Sequence, residues 1–400
     1  MKQILRGDFL IFSAVTLVAW IAFAFFMGMP VFKHDILADQ HTRQALAWQE
    51  GRMHLEENVG WLELAEYKGK IYVSFPPTPT LIAFPLTLIF GYNTPNTFTL
   101  LIFTWLAMLF SFFIFEKLTQ NRLLSFFMAF SFFWGSQILY LSMLGSVHNQ
   151  GQLYGVFFAI LALLVALNIK KTWSLIVSGL MLGLAVGCRP FYLFMLPLLL
   201  YLGIQKHSLR KTLLFTGLGL APMGIFLALY NLARFGSIFE FGHNYLPLHA
   251  RYKWVQFGFQ YLVTNLKRGF ISLPFWDRQN HLLNFSGYGT AIWIVAPVLL
   301  LGFYFFFKKD IPIIEKIVGA LSIFSIWFML CLHFSNGWYQ FGYRFSIDLI
   351  PLLIYFCGRS FRKMHLGLIP LGAYSIIINI YGVYWKYITL LGVPSGPFGS

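Results

Sequence analysis

The stretch "PPTPTLIAFPLTLIFG", residues 76–91, is apolar enough to enter a membrane but carries four prolines. Whether it crosses or returns decides on which side every later part of the chain lies. Its prolines and limited length suit a re-entrant or interfacial segment that dips in from outside and comes back. The setting is a chain of 400 residues, 58% hydrophobic and 20% aromatic, with only 11% charge. A mean hydropathy of +0.68 excludes an ordinary soluble domain. Apolar runs of roughly 17 to 25 residues recur along its length, each long enough for a helix to cross a hydrocarbon core of about 30 Å.

Charge placement then sets the topology. The net charge of +15 does not form a continuous patch, so it points to membrane orientation and not to nucleic acid. Basic residues cluster at Lys117 and Arg122; Lys170 and Lys171; Lys206, Arg210 and Lys211; Lys308, Lys309 and Lys316; and Arg359, Arg362 and Lys363. The positive-inside rule places all of them in the cytoplasm with the N-terminus. A crossing at 76–91 would put Lys117 and Arg122 on the wrong side, whereas a re-entrant segment keeps every cluster inside. The expected fold is therefore an all-α polytopic membrane protein of about eleven spans. These run approximately over 8–30, 97–115, 123–145, 150–168, 173–189, 190–205, 212–232, 288–307, 313–333, 345–357 and 365–388. The first run, Phe9 to Met29, is too long for a signal-peptide core and is read as a retained anchor.

Residues 1–400 form one expected domain with two long segments outside, 31–76 and 233–287. The first holds seven of the fourteen acidic residues: Asp35, Asp39, Glu50, Glu56, Glu57, Glu63 and Glu66. The second mixes aromatic and basic residues, as an element lying at the membrane interface does. A helix over 35–51 would put Leu37, His41, Ala45 and Trp48 on one stripe and Asp35, Asp39 and Arg43 on another. That describes a juxtamembrane helix along the outer surface, ended by Gly51. Its acidic face either supplies a general base or is a solvated face with Arg43 paired to Asp39.

Other polar residues stand at outer helix ends. Arg189, with no other charge near it, either binds a phosphate through bidentate hydrogen bonds or snorkels to headgroups. Arg344 has the same two readings plus a structural one, because Asp348 follows four residues later. His148 reads as an interfacial polar residue or a ligand, and Arg234 as a headgroup or turn residue. Trp61, Tyr67 and Tyr72 could stack on a sugar or anchor at the interface. Gly179, Gly183 and Gly187, spaced by four, permit close helix packing. Cys188, Cys331 and Cys357 have neither disulfide nor metal-ligand spacing. No phosphate loop, dinucleotide fingerprint, zinc pair or nucleophile elbow is present.

Five stretches in this order resemble the GT-C superfamily of integral-membrane glycosyltransferases, particularly bacterial members related to protein mannosyltransferases and aminoarabinose transferases. They are "ADQHTRQALAWQEGR", "LAEYKGKIYVSFPPTPTLIAFPLTLIFG", "SLIVSGLMLGLAVGCRPFYLFMLPLLL", "YNLARFGSIFEFG" and "FGYRFSIDLIPLL". The resemblance implies a GT-C fold in a bacterial inner membrane, with the site facing outside. It implies inverting transfer of a sugar from a polyprenyl-phosphate donor to a glycan, lipid or protein acceptor; no cofactor is expected, and nothing in the sequence requires a metal. Asp39 takes the family's base position, with Asp35 the alternative. Arg189 and Arg344 match family arginines and His148 a position that often holds a histidine; Arg234 and His41 are further substrate-binding candidates. The Asp-Glu pair typical of eukaryotic protein mannosyltransferases is Asp-Gln here. A transporter or flippase of a lipid-linked sugar would need similar outer-face arginines, but the inverted repeats common in transporters are absent from the sequence.

Overall fold

The computed structural model describes residues 7–33, 39–252, 255–278, 281–335, 337 and 340–391. It is mostly helical. Among the described residues six helices are long and apolar enough to cross a membrane: Gly7–Phe26, Asn96–Thr119, Val147–Leu167, Leu209–Phe235, Ile313–Leu332 and Leu368–Tyr387. A hydrocarbon core offers no water to the backbone, so these runs satisfy their amides within the helix.

The remaining expected spans are shorter or interrupted. Span 123–145 becomes Arg122–Trp134 and Ile138–Leu141, broken at Gly135; span 190–205 begins as a 3₁₀ turn at Pro190. Span 288–307 contains the 3₁₀ segment Pro297–Phe307, and 345–357 becomes the 3₁₀ segment Arg344–Leu349 followed by Ile350–Ser360. Proline supports the first turn of a helix but cannot donate within one, which is why the breaks at Pro190, Pro297 and Pro351 fall at helix starts. The opening stretch forms the helix Thr78–Phe90, with Pro79 in its first turn and Pro85 inside. At 1.5 Å per residue that helix reaches about 20 Å, less than a core of about 30 Å.

An all-α reading misses three two-stranded ladders. Leu64–Tyr67 pairs antiparallel with Lys70–Val73, Phe275–Asp277 with Leu282–Asn284, and Tyr288–Thr290 runs parallel to Gln340–Gly342. The first is a hairpin whose turn, Lys68-Gly69, has positive φ at both residues, the geometry that suits the strand twist.

The chain divides into two compact units. One comprises Pro30–Ala107 and Leu144–Gly258; the other comprises Met1–Met29, Met108–Met143 and Phe259–Ser400. In the first, the expected glycine packing is observed. A Cβ on Gly179 would stand 2.2 Å from the Thr216 carbonyl oxygen, and one on Gly219 would stand 2.0 Å from that of Ile176. Helices Trp173–Val186 and Leu209–Phe235 thus cross backbone to backbone. The same crossing seats the 78–90 helix, because Thr78 N–H donates to the Gly187 carbonyl at 2.9 Å.

The second unit is held by aromatic packing and paired charges. Phe112 stacks on Phe126 at 4.4 Å, and Trp20 Nε1 donates to Ser142 Oγ at 2.8 Å. Glu315, only 3% exposed, accepts from Arg359 Nε at 2.7 Å, Arg359 Nη2 at 3.0 Å and the Tyr355 hydroxyl at 2.7 Å. A buried carboxylate is tolerable on those terms. The three cysteines are free and buried.

Candidate active site

The chain re-enters the description at Asp39, and the helix that follows is His41–Gln49, shorter than the expected 35–51. Asp35 and His34 lie outside the described residues. The helix ends as foreseen: Gly51 adopts φ +71, its N–H reaches the Trp48 carbonyl, and Arg52 N–H reaches Ala47. Those two bonds are the Schellman pair that satisfies the last carbonyls.

Its position differs from that of a surface helix. His41, Thr42, Gln44, Ala45 and Ala47 are all buried. One side meets the 78–90 helix, through Gln49 Nε2 donating to Thr87 Oγ1 at 2.7 Å. Trp48 packs edge-on to Tyr230 at 5.7 Å. Nine residues framed on several sides have little surface left for an acidic face.

Asp39 has 0% exposure. Oδ1 accepts from the Thr42 backbone N–H at 3.1 Å, tying the carboxylate to the helix's first turn, where an anion is favoured. Oδ2 accepts from Asn96 Nδ2, which also donates to Thr42 Oγ1 at 3.1 Å. Buried Tyr154 lies within electrostatic reach. Asn96 is held in turn by Gly145: a Cβ there would come within 2.6 Å of Asn96 Cβ, and Gly145 N–H donates to Thr97 Oγ1 at 2.9 Å. Two donors fix the carboxylate's plane.

His41, also fully buried, places Nδ1 2.9 Å from Thr80 Oγ1. Burial pushes its imidazole down to about 3, against a smaller opposing pull from the Val147 carbonyl. It is neutral at pH 7. Val147 starts the helix that carries His148, whose Nε2 stands 3.8 Å from Glu63 Oε2 and whose ring meets Phe75 edge-on at 5.0 Å. Beside this group Arg43, Arg52, Leu55, Glu56, Glu57 and Tyr92 line a groove of about 160 Å³. Arg43 Nη2 donates to the Tyr92 hydroxyl at 2.7 Å across its mouth.

The other sequence candidates are placed as follows. Arg189 precedes the 3₁₀ turn Pro190–Met195, with its guanidinium 5.6 Å from the Phe191 ring. Arg234 is 2% exposed; it donates to the Val73 carbonyl and to Asn231 Oδ1 and lies 3.8 Å from the Tyr230 ring. It thereby clamps the 64–73 hairpin to the end of its helix. Tyr67 and Tyr72 belong to an aromatic core with Phe235 and Tyr245, whereas Trp61 is exposed. Arg344 lies in the other unit, opening a 3₁₀ helix with its N–H on Gln340 Oε1 at 3.2 Å. Asp348, four residues on, is buried and belongs to the same 3₁₀ segment. Thr80, Asn96 and Tyr154 were not singled out from the sequence. Their one signal is that Thr80 and Thr87, seven apart, share a helix face. Among the described residues no group of three or more His, Cys, Asp or Glu is gathered as metal ligands are.

The whole fold matches that of ArnT from Cupriavidus metallidurans, solved with undecaprenyl phosphate bound. The TM-score is 0.52 at 11% identity, covering 90% of this chain and 61% of that one. This is a GT-C fold. The chain spans 61% of the length of that GT-C structure, and at 11% identity the likeness establishes the fold alone. The Archaeoglobus fulgidus oligosaccharyltransferase AglB, in complex with an inhibitory peptide and a dolichol-phosphate, aligns with a TM-score of 0.48 at 12% identity, over 98% of this chain and 57% of its own. No protein-family profile matches the chain. No curated protein matches it in sequence.

Proposed function

We propose that the chain, as one GT-C domain over residues 1–400, is an inverting glycosyltransferase. It would move a sugar from a polyprenyl phosphate to an acceptor hydroxyl at the outer face of a bacterial inner membrane. The observation that carries this reading is the Asp39 carboxylate, oriented by the Thr42 amide and Asn96 at the head of the post-anchor helix. A polyprenyl phosphate already leaves well, so the site needs cations for the developing phosphate charge more than a general acid. The acceptor hydroxyl needs a base. Asp39 takes its proton as the oxygen attacks the anomeric carbon from the face opposite the phosphate, and the sugar–phosphate bond breaks with its electron pair on the phosphate oxygen. Arg344 and Arg189 are the cations assigned to that phosphate, and His148 is assigned to the sugar. His41, neutral and bonded to Thr80, positions the start of the helix. Topologically the reading keeps eleven spans, with residues 76–91 re-entrant.

The test supplies purified protein with radiolabelled polyprenyl-phosphate sugars and a membrane extract. Asp39→Asn is expected to lower transfer by about 100-fold or more, the scale of a lost general base. Transfer at the wild-type rate refutes Asp39 as the base. Movement of the donor across vesicles with no glycosylated product would favour a lipid-sugar transporter. A cysteine introduced at Asn93 is expected to label from outside; protection would sink the eleven-span topology.

A further inference from the structure

The two units treat their basic clusters differently. In the second, Arg122 is paired with Asp8 and Glu116, Lys308 with Asp310, and Arg359 with Glu315. In the first, Lys170, Lys171, Arg210 and Lys211 are exposed and form no ion pair among the described residues. Lys206 Nζ donates to a carbonyl, that of Leu167, at 3.2 Å. The stretch 144–239, which supplies all five cations, holds neither Asp nor Glu. This end of the unit is therefore complementary to an anion from outside the chain.

A cleft opens there. Val165, Asn168, Lys170, Lys171, Trp173 and Ser174 enclose about 320 Å³. Its frame is fixed by the turn between the helices Val147–Leu167 and Trp173–Val186: Ile169 is 1% exposed, Ser174 N–H returns to the Lys171 carbonyl at 3.0 Å, and Ser178 Oγ donates across the pair to the Ala162 carbonyl at 3.0 Å. Trp173 is 59% exposed, the setting of an indole at a membrane interface. The 147–167 helix begins beside His41 and ends at this cleft. At 1.5 Å per residue it covers about 30 Å, the thickness of a hydrocarbon core. The cleft is thus at the opposite membrane face from Asp39 and separate from the candidate active site.

We propose that this cleft seats an anionic phospholipid from the leaflet that the basic clusters mark as cytoplasmic. Lys170 and Lys171 hold the headgroup phosphate, and Val165 and the Trp173 ring receive the start of an acyl chain. A soluble anion would gain nothing from that apolar wall. A zwitterionic lipid would bring its own cation against the two lysines, whereas an anionic one is attracted by both. The site lies beyond the glycosyl-transfer reading and does not depend on it.

The test titrates lipids into the full chain in detergent and counts bound molecules by native mass spectrometry. The probes are phosphatidylglycerol, phosphatidylcholine with the same acyl chains, and inorganic phosphate as competitor. Each lysine near an anionic lipid contributes about 5-fold in affinity. The double substitution Lys170→Gln with Lys171→Gln should therefore weaken phosphatidylglycerol binding roughly 10- to 30-fold and leave phosphatidylcholine binding unchanged. Lys170→Arg with Lys171→Arg should stay within about 3-fold, and so should Arg210→Gln with Lys211→Gln, neither of which lines the cleft. Bound phosphatidylglycerol should also protect Lys170 and Lys171 from acetylation while Lys211 stays reactive. Equal losses in the two glutamine pairs would show diffuse attraction in place of a site and overturn the proposal. Equal affinity for the two lipids would leave the cleft to a soluble acidic partner, and displacement of phosphatidylglycerol by millimolar inorganic phosphate would make it a free-anion site; either result overturns the proposal too. Sugar transfer enters none of these readouts, so a failure of Asp39 as the base leaves them unchanged.

Discussion

Replacing Asn96 by alanine isolates the contact that orients Asp39. The substitution keeps Cβ, and with it the packing against Gly145, but removes the amide that donates to Asp39 Oδ2 and to Thr42 Oγ1. Asp39 has 0% exposure, so no water can take the donor's place without rearrangement. Hydrogen bonds to charged groups contribute about 1.5–3 kcal/mol, and a buried acceptor left bare costs a similar amount. The expected loss is about 2 kcal/mol. Asp39→Asn should cost less by itself, because its Oδ1 can still accept from the Thr42 amide. In the double variant the two losses should overlap, with a coupling of about 1–2 kcal/mol. Reversible unfolding in mixed micelles, followed by the fluorescence of the 12 tryptophans, measures all four proteins. Additivity within about 0.5 kcal/mol, or an Asn96→Ala protein as stable as wild type, would show that Asn96 does not hold the carboxylate. In the transfer assay Asn96→Ala should lower kcat more than it raises the donor KM, since it disturbs the base and leaves the phosphate site alone.

Two further expectations concern the same unit. His41 is held down at about 3, below its ordinary 6.5. Between those values the unfolded chain binds the proton and the folded one does not. Stability from this group is therefore complete above pH 6.5 and is lost as pH falls towards 3. About 2 kcal/mol should disappear between pH 8 and pH 5; a His41→Asn protein whose pH profile matches wild type would refute this. On the 209–235 helix, Gly219→Val drives a side chain into the Ile176 carbonyl and should cost about 3 kcal/mol or more. Gly217→Ala, where a Cβ meets nothing within 4 Å, should be neutral or stabilising by up to about 1 kcal/mol. Equal effects at the two glycines would rule out the close crossing.

Much of the architecture is legible residue by residue. The apolar runs mark the six long helices, the glycines spaced by four mark the tight crossing, and Gly51 marks the end of the post-anchor helix. The errors arise where sequence period stops being informative. The stripe through His41, Ala45 and Trp48 has the spacing of a surface helix, but burial on several sides erases the difference between its faces. Arg234 has the look of a headgroup ligand but is taken up by the Val73 carbonyl.

The sequence by itself therefore determined the membrane-embedded helical class and, through the family resemblance, narrowed the candidate base to Asp39, with Asp35 the alternative. Transfer of apolar side chains from water is additive along a segment, so a run of them declares its environment without reference to anything distant. Only the tertiary structure decided which groups surround that carboxylate. Its partner Asn96 is 57 residues away, and Thr80, Val147 and Tyr154 arrive on two other helices. Hydrogen bonds and charge contacts act over a few ångströms of space, and the chain brings those ångströms together only through the packing of whole helices.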